Sequence, residues 1–162
     1  MKEIIRVIQE HVGFSIRGFL VVVLAMLPSI LYGILPKNNI TIEQTTPSIY
    51  MEQLENVSRV LFIIFLIVIV NKNMDYNKPV YIIGMVVFLL LYYYLWARYF
   101  INGRDVSYLG KNFGFIPAPL AVFPVVYFAF AALWFHNIPA GVAIVIFGIC
   151  HFMNSYYTLH HD

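Results

Sequence analysis

His151 is the residue of this chain best placed to do chemistry, inside a stretch from Asn112 to His161 that holds no Lys, Arg, Asp or Glu. Imidazole changes charge near neutral pH, and a titratable group within an apolar helix is a functional candidate by default. Helical spacing puts Gly141, Ile144, Gly148, His151 and Ser155 on one stripe, with Asn154 beside it. Two readings are open. In one, neutral His151 hydrogen-bonds Asn154, a tyrosine or a backbone carbonyl and holds helices together; in the other it faces a cavity as a ligand or proton site.

A second cluster gathers Tyr92, Tyr93, Tyr94, Trp96, Arg98 and Tyr99, followed by Asn102, Arg104 and Asp105. Tyr and Trp at the end of an apolar run mark the headgroup level, where Arg98 snorkels. The alternative is that Arg98 and Arg104 bind a lipid phosphate or an anionic solute. Glu55 and Arg59 stand at i, i+4 spacing and are expected to pair on one helix. Arg98, Arg104, His151, Asn154, Glu55 and Arg59 are therefore the expected ligand-binding set.

The inventory for catalysis is thin. The chain has no G-x-S-x-G, H-E-x-x-H, P-loop or G-x-G-x-x-G motif and no pair of intramembrane carboxylates, so no residue is assigned a catalytic role. Cys150 precedes His151, but consecutive helical residues point about 100° apart and do not face each other. As the single cysteine, it excludes an internal disulfide. His151, His160 and His161 do not share one helical face, so neither a metal nor another cofactor is expected. A net charge of only +2 gives no reason to expect nucleic acid as a partner.

The elements that position these residues must lie in a bilayer. Hydrophobic residues make up 61% of the chain and charged ones 11%, against about 45–50% and 25% in soluble domains. Five runs approach the ~20 residues that a helix needs to cross ~30 Å of hydrocarbon, at about 18–35, 57–71, 79–101, 117–135 and 139–157. Pro28 is an expected kink in the first. Thr46-Pro47 reads as an N-cap followed by proline, so the second helix is expected to begin near Pro47, outside the membrane, and run to Asn71. His136-Asn137-Ile138 is so short a connection that the last two helices must form an antiparallel hairpin.

The expected fold is thus all-α, a polytopic membrane protein with five transmembrane helices in one domain covering 1–162. Ile4, Ile5, Ile8 and Val12 share a helical face, which predicts a short interfacial helix over residues 1–13. Met1 to Val12 hold Glu3 and Glu10 and no long apolar run, unlike a cleavable signal peptide. Residues 37–53 and 102–114 are expected outside the membrane. Five alternating spans set Lys2, Arg6, Arg17, Lys72 and Lys78 against Lys37, Arg59, Arg98, Arg104 and Lys111, an equal split that leaves the positive-inside rule undecided. The basic approach to the first helix places the N-terminus in the cytoplasm. Asn39-Ile40-Thr41 and Asn56-Val57-Ser58 match the glycosylation pattern on the opposite side.

In the fourth span, Ala118, Ala121, Val125, Ala129 and Ala132 form a small face expected to meet another helix. Phe123, Tyr127, Phe130 and Trp134 form an aromatic face expected to meet lipid or a second subunit. Alternation brings the ends of the third and fifth spans and the start of the second to one side, which predicts a one-sided polar vestibule. The leading expectation is a transport or channel-like component of the cell membrane for a small anionic solute. A non-catalytic membrane partner or assembly factor is the alternative, and a lipid-modifying enzyme comes third. Besides lipid, the expected partner is a second copy of the chain or a larger membrane complex.

Overall fold

The computed structural model describes residues 11–38, 48–70 and 76–160, with side chains to Thr158. Among these residues six helices follow in order: α1 (Ile16–Ile34), α2 (Ile49–Val68), α3 (Pro79–Ile101), the short α4 (Ser107–Gly110), α5 (Pro119–Trp134) and α6 (Ile138–His160). Among the described residues there is no strand, only isolated bridge pairs. Most of the expected interfacial helix, the Asn39 triplet, Thr46-Pro47 and the side chains of His160 and His161 lie outside the described residues.

Capping chemistry accounts for the helix ends. Ser15 caps α1 by accepting the Gly18 N–H on Oγ at 2.9 Å. Ser48 flanks α2, its carbonyl accepting from Met51 and Glu52, so the helix opens at Ile49. At the other end of α2, Gly13 and Ser15 donate to the carbonyls of Val68 and Ile67 at 2.9 and 2.7 Å. Those bonds use carbonyls that a helix end leaves unsatisfied, and they tie the start of α1 to the end of α2. α5 opens at Pro119 and not at Pro117, because Ala118 takes a left-handed conformation (φ 45°, ψ 53°) that breaks the helical path. Asn137 caps α6 with Oδ1 on the Ala140 N–H and donates Nδ2 to the Phe65 carbonyl of α2 at 2.7 Å.

Successive long helices alternate in direction. Trp134 Nε1 donates to the Tyr76 carbonyl while Phe123 packs on Phe88, so α5 runs antiparallel to α3. Phe62 meets Phe147 and Glu55 meets His151, so α2 runs antiparallel to α6. α2 with α6 and α3 with α5 are the most extensive pairings, α5 and α6 join them, and α1 touches the rest more lightly.

α1, α3 and α6 are long and apolar enough to cross a membrane. α2 carries Glu52, Glu55 and Arg59 in its first three turns, and α5, with 16 residues, is about 24 Å long at 1.5 Å per residue.

Both faces of α5 are covered. Val125 packs on Gly148 and Ala132 on Gly141 of α6, so the small face meets a helix. The aromatic face does not look out to lipid: Phe123 and Tyr127 are buried and Phe130 stacks on Phe88 of α3. Gly84 makes that contact possible, since a Cβ there would stand 2.7 Å from the Phe130 ring. Pro28 lies within a continuous α1 and has no N–H for the Leu24 carbonyl, which instead accepts the Tyr93 hydroxyl at 2.5 Å.

Candidate functional site: a polar cluster lining a cavity

The bundle end formed by the late turns of α1, α3 and α6 and the first turns of α2 and α5 holds an open cavity of about 390 Å³. Its polar wall comes from two antiparallel helices. Glu55, 7% exposed, projects from α2 toward the His151 and Asn154 face of α6. His151 Nδ1 lies 2.9 Å from Glu55 Oε1, and Asn154 Nδ2 donates to Oε2 at 2.6 Å. Arg59, one turn along α2, pairs with the same Oε1.

One buried carboxylate thus collects three partners from two helices. With Glu55 ionised, Nδ1 of His151 carries the hydrogen it shares with Oε1. Phe147 lies under the imidazole, ring centroids 4.9 Å apart and planes 14° from parallel, and fixes its orientation. Arg59 sits 5.4 Å from the centroid of the same Phe147 ring, and its side chain is 40% exposed. The cluster is held in place on its closed side and offers a guanidinium on its open side.

Ser29 and Tyr92 form the opposite wall, their hydroxyls 3.1 Å apart. Trp96 also lines the cavity, its ring edge-on to Tyr92. An adjoining space of about 260 Å³ shares Ser29, Tyr92 and His151 and reaches Arg59. No protein-family model matches this chain, and no curated protein or solved structure matches it.

Four of the six expected site residues come together: Glu55, Arg59, His151 and Asn154. Arg98 and Arg104 lie at the same bundle end but line neither cavity. Arg98 instead donates to the Tyr108 and Lys111 carbonyls at 3.1 and 2.9 Å, clamping the loop that carries α4. Arg104 has φ 61°, and its carbonyl accepts the Asn38 N–H, joining the loops that leave α1 and α3. Ser29 escaped the sequence reading, although a serine beside Pro28 in a charge-free span was its signal. Among the described residues, no three His, Cys, Asp or Glu side chains are placed to share a metal.

Proposed function

We propose that this protein is a transport or channel-like membrane component whose cavity binds a small solute bearing an anionic group. The observation that carries the reading is the Glu55–His151–Asn154–Arg59 cluster, built on facing helices and opening into a cavity. A purely structural polar network would close on itself; here the Arg59 side chain stays 40% exposed, and His151 lines the cavity with its side chain 26% exposed. The solute's anion contacts Arg59, with His151 lining the same space beside it. Glu55 holds Arg59 and His151 in place and does not itself touch the anion.

The reading takes α2 and α5 as crossing the membrane with α1, α3 and α6, giving five spans in the cell membrane with the N-terminus in the cytoplasm. Alternating helix direction and the tight α5–α6 connection support it. In a Cys150→Ser background, cysteines placed at Lys37 and at His136 should label from opposite sides of intact vesicles. Labelling of both from one side removes the five-span reading.

Function is tested by flux of chloride, nitrate, acetate and phosphate in proteoliposomes. Flux of at least one of them above that of empty liposomes is expected, with a roughly tenfold fall in Arg59→Gln and His151→Ala, the scale of one lost charge-assisted hydrogen bond. No flux of any of the four abandons the anion-transport reading. Flux that is unchanged in both variants removes the cluster from it.

A further inference from the structure

The seam between α1 and α3, on the opposite half of the bundle from the polar cavity, holds a second feature. The two helices run parallel and touch near the Tyr93–Leu24 bond, but toward their N-terminal ends they leave an apolar groove of about 210 Å³. Leu20 and Leu24 form one rim and Ile82 and Val86 the other, all exposed, while buried Tyr127 floors it. Arg17 and Trp134 stand at its outer end. Leu24 stands seven positions beyond Arg17 on α1, so the groove runs inward for about 10 Å, most of the ~15 Å depth of one leaflet's hydrocarbon.

The charge at the mouth selects the occupant. Arg17 lies 4.2 Å above the Tyr76 ring and pairs with no carboxylate among the described residues. Lys78, at the same end of the bundle, is engaged by His136 Nε2 at 3.0 Å. Arg17 is thus a guanidinium held by an aromatic ring at the outer end of an apolar slot, and guanidinium binds phosphate by paired N–H donors.

We infer that this groove binds an anionic phospholipid, with an acyl chain between α1 and α3 and the headgroup phosphate on Arg17. The site shares no lining residue with the polar cavity, so it holds whether or not the cavity carries a solute.

The chain has two tryptophans, and Trp96→Phe leaves Trp134, at the groove mouth, as the only one. The full-length Trp96→Phe protein is reconstituted in phosphatidylcholine vesicles containing either dibrominated phosphatidylglycerol or dibrominated phosphatidylcholine, and quenching of Trp134 is followed. Phosphatidylglycerol should associate about fivefold more strongly than phosphatidylcholine, the effect of one basic side chain at a membrane surface. Arg17→Gln should bring the ratio to about one, and Arg17→Lys should keep most of it, since charge survives. Equal quenching by the two lipids, or a preference that persists in Arg17→Gln, overturns the assignment.

Discussion

Glu55 is the residue on which the polar cluster depends, because every other member reaches the cluster through its carboxylate. Glu55→Ala leaves Asn154 and His151 facing a hole and is expected to cost roughly 2 kcal/mol, the scale of buried hydrogen-bonding groups left unpaired. Glu55→Gln keeps one acceptor oxygen and should cost less than half as much. Unfolding in mixed micelles measures both, and equal losses would show that charge, and not hydrogen bonding, holds the cluster. Much of this site was legible residue by residue. His151 and Asn154 stand out in a charge-free run, and Glu55 and Arg59 declare themselves by spacing. That His151 takes Glu55 as its partner was hidden, since the two lie 96 residues apart and only the α2–α6 pairing joins them. The contacts of Arg98 were hidden for a related reason. Spacing fixes which end of the bundle a side chain occupies, whereas its hydrogen bonds run to carbonyls only 10 and 13 residues ahead.

Among the elements, α1 shows how a proline can create a binding point for another helix. Pro28 frees the Leu24 carbonyl, and the Tyr93 hydroxyl of α3 takes it. Tyr93→Phe should therefore cost about 1 kcal/mol, within the range for interhelical hydrogen bonds in membranes. In a Pro28→Ala background, where the alanine supplies the missing N–H, the same change should cost less than half of that. A double-mutant cycle by unfolding in micelles checks it, and a cost that is the same in both backgrounds would disconnect the two residues. The elements were legible from apolar runs and proline positions, and so was the α5–α6 hairpin. The environment of α5 was not, because a face of Phe, Tyr and Trp suits lipid and a neighbouring helix equally. Gly84 on α3 decides the matter by making room for Phe130, and that fit exists only once α3 and α5 are paired.

At the scale of the whole molecule, the bundle divides into a closely packed group, α2, α3, α5 and α6, and an α1 that touches it lightly. α1 is held by a few side-chain bonds, from Tyr93 to Leu24, from Tyr127 to Val21 and between Ser29 and Tyr92, together with the backbone junction to α2. Its amides should exchange with deuterium before those of α5, whose two faces are both covered, and exchange mass spectrometry in micelles reads the order directly. Simultaneous exchange of α1 and α5 would mean that the bundle opens as one unit.

The bond from Tyr127 to the Val21 carbonyl spans 106 residues and so also has a place in time. During synthesis at about 5–20 residues per second, Val21 is complete some 5–20 s before its partner exists. Through that interval the first helix must persist in the lipid without α5, and at first without α2 and α3 as well. A sequence apolar on nearly every side is what such a wait requires.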